Sequence, residues 1–381
     1  MIPRDSIYYD VAWKLGWTIL HSLWQGVLIA LLHATAMGWL RRRSPPSRYL
    51  ASLCALGLLL GAGVATFVLM TPPPQGSRDR GILASPALMT PSAAVTHVPR
   101  VQSALVSAPA IEAAARGPDR PATVDRLNDM FRSTVNRVQP AMPWIACGWG
   151  AGVLLLSLWQ TGGWIATRRL CVLGVRPVDS DIARIGAQIT RRLKLTRAPS
   201  VWQSERVETP VVIGWLRPMI LLPVAVLSGL TTAQLEAILA HEIAHIRRHD
   251  YVVNLLQVVA ETLMFYHPAA WWISRRIRLE REQCCDDIAV EVCGDRFQYA
   301  ESLAALEEVR LSSPLALAAR GAGGGELLAR VRWLLSGETH HGGRHVWAPI
   351  AWVILLAAGI TALSCEKHRS QNQTSGVTTP G

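Results

Sequence analysis

Long apolar runs closed by arginines are the first pattern in this sequence. Residues 11–40, 49–70, 143–166 and 346–364 are each long and apolar enough to cross about 30 Å of hydrocarbon as a helix. The turn between the first two runs carries Arg41, Arg42, Arg43 and Arg48, and short basic loops stay on the cytoplasmic side. The N-terminus is therefore expected outside. Arg168 and Arg169 follow the third run and return the chain to the cytoplasm; the fourth run takes Cys365 and the polar tail out again. Trp144, Trp149, Trp159 and Trp164 lie towards the two ends of the third run, as an aromatic belt would place them. Lys14, His21, Gln25 and His33 interrupt the first run, and polar groups in a span face the bundle interior. The first run is too long for a signal-peptide core and has no small-residue cleavage site, so it reads as a retained span.

Between the second and third runs, residues 71–142 are rich in Pro, Ala, Ser and Val and poor in aromatics. That composition predicts an extended extracytoplasmic loop, with a short helix near 124–138. After residue 168 the pattern changes to that of a soluble domain. Residues 180–195 have helical periodicity through Ile182, Ile185, Ile189 and Leu193. Residues 200–203, 211–215 and 219–222 read as short strands, and the edge near 211–213 suits an extended peptide added as a further strand. A helix follows from a Thr231–Gln234 capping box, with Leu235, Ile238, Leu239 and Ile243 on its apolar face. Residues 251–265 are apolar with a stripe of Asp250, Asn254, Gln257 and Glu261, and too short to span; a buried helix is expected, touching the membrane surface. His267-Pro268 breaks it, and a helix from 268 runs through Val290. Further helices are expected over 295–309 and 330–335, with Gly321–Gly325 as a linker.

Composition agrees with a membrane protein. Half of the residues are hydrophobic, 17% are charged, and the net charge is +11. The arginines cluster at the ends of apolar runs, so topology accounts for the charge and no direct nucleic-acid contact is expected. The seven cysteines show no disulfide-framework spacing.

The chemistry concentrates at His241-Glu242-Ile243-Ala244-His245, an HExxH sequence. His241 and His245 are four apart on one helical face and can grip one zinc ion; Glu242 is placed to act as general base towards a water activated there. Glu282 supplies a carboxylate as third ligand, leaving one position open, and Asp286 one turn later can accept a hydrogen bond from a ligating histidine. His249 lies about 12 Å along a straight helix from His241, with no glycine to turn the chain, and is read as a surface or outer group. Cys284 and Cys285 diverge by about 100° around the helix and are read as packing residues.

HEIAHIRRHD followed by EREQCCDD resembles the membrane metallopeptidases of the BlaR/MecR antirepressor type, with Glu282–Asp286 as the ExxxD of the wider HExxH…ExxxD gluzincins. Thr209–Gly214 and His21–Gly26 support the resemblance. It implies a mainly α, four-span integral membrane protein with an α+β gluzincin-like zinc peptidase domain between spans three and four. The expected division is a two-span hairpin (1–70), outer loop (71–142), third span (143–167), cytoplasmic peptidase (168–345), fourth span (346–364) and tail (365–381). Implied, too, are one zinc per chain, a bilayer as partner, and a cytoplasmic winged-helix repressor or the chain's own linker as substrate. Homo-oligomerisation is left open. A housekeeping membrane protease and a non-catalytic transducer stapled by metal are the rival readings. The best-known antirepressors carry a large penicillin-binding domain after the last span; this sequence has no room for one there, so sensing by another route is expected.

Overall fold

The computed structural model describes residues 7–71, 130, 133–134, 137–172, 174–214, 217–312 and 324–336, as backbone alone at 170–172 and 324–326. The fourth apolar run, most of the 71–142 loop and residues 321–323 of the linker lie outside these residues. Three described helical segments are long and apolar enough to cross a membrane: Ile7–Arg42, Pro45–Leu69 and Gln139–Arg169. Their α-helical parts are α1 (Ile7–Trp39), α2 (Pro45–Leu69) and α3 (Met142–Val172).

Contacts group the described residues into two units, one of residues up to Trp17 with Met70–Cys147, the other of Thr18–Leu69 with Gly148 onward. In the first, Gly16 lets α1 close on the backbone of Met142, whose side chain is fully buried. In the second, α1 and α2 are joined by polar pairs. His33 Nε2 lies 2.9 Å from Ser52 Oγ, and Gln25 donates to Thr66 at 3.0 Å, so both face the neighbouring helix as expected of polar groups in a span.

A small sheet follows, with β1 (Val175–Pro177), β2 (Ser200–Ser204), β3 (Val211–Ile213) and β4 (Met219–Pro223) in the order β1-β2-β4-β3. β2 and β4 are parallel with Trp202 opposite Leu221; β3 pairs antiparallel to β4 with Val212 opposite Ile220, and forms an edge. Helices complete the unit: α4 (Ser180–Arg192), α5 (Val224–Gly229), α6 (Thr232–Arg247), α7 (Asp250–Leu263), α8 (Pro268–Cys293), α9 (Arg296–Leu311) and α10 (Gly324–Leu335). Ile189 of α4, Ile220 and Leu222 of β4, Leu239 and Ile243 of α6, and Tyr299 of α9 form one core. Fully burying each aliphatic side chain stabilises by roughly 1.5–3 kcal/mol. The Thr231–Gln234 capping box starts α6, with Thr231 N–H donating to Gln234 Oε1 at 2.9 Å.

Two expectations need correction. The HExxH helix stops at Arg247, and the chain turns at His249, which takes a left-handed backbone at φ 55° and leads into α7. Histidine tolerates that conformation better than most residues, so no glycine is required. The second concerns α7, which is not a buried helix. Most of its polar stripe turns inward, where partners exist: Gln257 donates to the Ser274 carbonyl at 2.9 Å, and Glu261 pairs with Arg278 at 2.6 Å, while Asn254 is exposed. Val252, Leu255, Leu256, Val259 and Leu263 are left exposed, while Ala260 is buried and Val253 packs against the core.

Candidate metal centre

α6 and α8 pack together and aim three side chains at one point. His241 Nε2 and His245 Nε2 are 3.2 Å apart; Glu282 Oε2 is 3.4 Å from the first and 3.8 Å from the second. Four ligands set tetrahedrally at about 2.0–2.1 Å from a zinc ion stand roughly 3.3 Å from one another, so these spacings fit.

The outer contacts fix which ring atoms are bare. Tyr299 of α9 donates its hydroxyl to Asp286 at 2.7 Å, and its oxygen lies 2.9 Å from His241 Nδ1, which is also 3.2 Å from Asp286 Oδ1. His241 therefore carries its proton on Nδ1. His245 Nδ1 donates to Asp250 Oδ2 at 2.8 Å, so it too carries its proton there. Two imidazole lone pairs and a carboxylate oxygen then face one another, an arrangement that calls for positive charge. A proton can meet that demand. Burial and the nearby Arg330 both disfavour a charged His241, yet hydrogen bonds to Asp286 and Glu282 outweigh them and push its pKa up to about 9. Burial raises Glu282, but the hydrogen bond and charge of His241 carry it down to about 2. The donor set fits a divalent cation equally well.

Asp286 is fully buried, and Arg330 of α10 grips it through Nη2 at 2.5 Å and Nε at 2.9 Å. Burial raises its pKa, but the Arg330 charge wins and holds the carboxyl ionised. Cys284 and Cys285 are both buried. Cys285 Sγ stands 3.3 Å from His245 Nδ1 and 3.4 Å from Asp250 Oδ2, so His245, Asp250 and Cys285 form a second potential ligand group. Burial and then the Asp250 charge push the Cys285 thiol well up, so it stays protonated and serves as a donor to Asp250. His249 is exposed and packs edge-on against Tyr251.

Glu242 is half-buried and makes no hydrogen bond or ion pair among the described residues. With His241, His245 and Glu282 it lines a cleft of about 2530 Å³ that extends along β3 at Val211–Ile213 and α3 at Trp159 and Trp164. Sequence reasoning missed Tyr299, Arg330 and Asp250. The first two lie far along the chain with no local pattern, and Asp250 was hidden by the assumption of a straight helix.

Comparison with known proteins bears on what such a site belongs to. The methicillin resistance mecR1 protein of Staphylococcus aureus is 26% identical over 102 residues, covering 26% of this chain and 17% of that protein. The regulatory protein BlaR1 of Bacillus licheniformis is 24% identical over 119 residues, covering 31% of this chain and 20% of that protein. The chain thus spans about a fifth or less of the length of these relatives. The profile of the BlaR1 peptidase M56 family matches residues 82–334, well over half of the sequence, and the chain belongs to that family of membrane peptidases.

Proposed function

We propose that this protein is a zinc-dependent endopeptidase that transduces a signal by cutting a cytoplasmic transcriptional repressor. The carrying observation is the convergence of His241 Nε2, His245 Nε2 and Glu282 Oε2, with both histidine protons turned away from the meeting point. His241, His245 and Glu282 would hold the metal. A zinc ion there would supply Lewis-acid polarisation of the scissile carbonyl and activation of water. Glu242, one residue from His241 and with no partner among the described residues, takes a proton from the attacking water and returns it to the leaving amine. Asp286 and Asp250 hold the two imidazoles in the tautomer that offers Nε2. β3, an edge strand lining the cleft, can hold an extended peptide through its free backbone groups. The similarity to a protein named regulatory supports a signalling role over general protein turnover.

The test compares cytoplasmic proteins cut in wild-type and Glu242→Gln cells, with zinc measured in both purified proteins. The expected result is one zinc per chain in each and cleavage reduced by about 10²-fold or more in the variant. Identical fragments in the two strains would remove Glu242 as the base and leave the metal as a staple between α6 and α8.

A further inference from the structure

The loop joining α7 to α8 is met by three spans, each time far from the arginine that marks the span's end. On α1, Ser22 Oγ lies 2.8 Å from Tyr266 Oη, and the Ser22 carbonyl lies 2.9 Å from His267 Nε2. A methyl group on Gly26 would overlap the His267 ring. At 1.5 Å per residue, Ser22 is about 28 Å from Arg41. On α2, Gly63 faces the Met264 methyl, about 22 Å from Arg48 by the same measure. On α3, Gly152 admits the Phe265 ring, about 24 Å from Arg168. A hydrocarbon layer is about 30 Å thick. The three rulers put residues 264–267 about 22–28 Å from the arginine end of that layer, inside it and towards its far side.

Backbone at such depth has no water to bond and must find partners within the protein. Here it does. The Leu263 carbonyl accepts from Trp149 Nε1 at 2.8 Å, and the Phe265 carbonyl from Trp271 Nε1 at 2.8 Å. His267 serves both sides: Nε2 donates to the Ser22 carbonyl, and Nδ1 accepts from Ala269 N–H at 3.1 Å. Thr262 accepts from Gln160 of α3 at 2.7 Å.

The outer face of α7 is apolar and uncovered among the described residues. Val252, Leu255, Leu256, Val259 and Leu263 recur at helical spacing and are 37–63% exposed, with Trp272 of α8 also 44% exposed. Glu261 stands on the opposite side of the helix and pairs with Arg278, so its charge is kept off this face. Leu256, Val259, Leu263 and Trp272 lie outside the candidate cleft.

We propose that α7 and the first half of α8 form a re-entrant hairpin immersed in the bilayer, with Leu256, Val259 and Leu263 in contact with lipid acyl chains. This goes beyond the peptidase reading and holds whether or not Glu242 is a catalytic base. The full chain, reconstituted in phosphatidylcholine vesicles, is to carry a diazirine analogue of leucine singly at 256, 259 and 263, and at Phe297 as an exposed control on α9. The analogue is close to leucine in shape and is tolerated on an uncovered face. After photolysis, phospholipid adducts are expected at 256, 259 and 263 and are expected to be lost at 297. Water adducts at the first three positions would overturn the proposal. So would adducts there to a second copy of the chain or to another protein, because either means that protein rather than lipid covers this face.

Discussion

Asp250 reaches His245 because one residue, His249, bends the backbone the left-handed way. The carboxylate that follows the turn comes back over the end of α6 and holds the imidazole at 2.8 Å. Outer partners of this kind fix ligand orientation, and removing one costs about 10–100-fold in metal affinity. Asp250→Ala is therefore expected to weaken zinc binding by that factor, read by competition with a chelator. An unchanged affinity would mean that His245 is oriented by something else. His249→Ala removes no ligand and is expected to keep the metal, at a stability cost of about 1 kcal/mol for holding the left-handed turn. At this scale the sequence spoke clearly where spacing is local: His241, Glu242 and His245 lie on one turn of helix, and Glu282 and Asp286 on another. It was silent about Tyr299 and Arg330, because only the packing of α9 and α10 against α6 and α8 brings them in.

Between elements, the strongest link from the spans to the site is a buried ion pair. Arg48, at the start of α2, donates to Glu280 of α8 at 2.7 Å and to Gln283 at 2.6 Å, and both members of the ion pair are almost fully enclosed. Removing one partner of such a pair strands a charge and costs about 3–5 kcal/mol. Glu280→Ala should lower the thermal unfolding midpoint of the detergent-solubilised protein accordingly. A midpoint within error of wild type would show that Gln283 and water satisfy Arg48 alone. Element positions were largely legible from periodicity, since α4, α6, α8 and α9 carry clear helical repeats or caps. The orientation of α7 was not. Periodicity gives two faces of opposite character, and water decides which one turns inward. Beside lipid that rule loses its force, and Asp250, Gln257 and Glu261 turned towards partners instead.

The whole molecule is a membrane protein with three candidate spans among the described residues. Arginine placement predicts that the peptidase part lies in the cytoplasm. A reporter fused after Leu311 is expected to be active only as a cytoplasmic reporter; an extracytoplasmic signal there would overturn the orientation and a cytoplasmic substrate with it. Spans and their flanks are legible in sequence because a bilayer imposes a fixed length and a charge asymmetry. The sheet order β1-β2-β4-β3 is not, because registry between short strands depends on contacts far apart in the chain.

α8 runs unbroken from its cap at His267 to its stop at Gly294, and this gives it the mechanics of a lever. One end is seated on Ser22 of the first span, the middle is pinned by Arg48 of the second, and Glu282 sits just beyond the pin, about 21 Å from Pro268 along the axis. A stiff rod held this way has no slack with which to absorb a sliding or rocking span. A slide of the seat along the axis arrives at Glu282 undiminished, whereas rocking about the pin, about 18 Å from Pro268 and about 3 Å from Glu282, arrives reversed and about sixfold smaller. Displacements of about 1 Å at a reacting centre change rates by about a hundredfold. The spans and the candidate metal centre are therefore joined through one rigid helix, and the tilt of the hairpin bears on the aim of the Glu282 carboxylate.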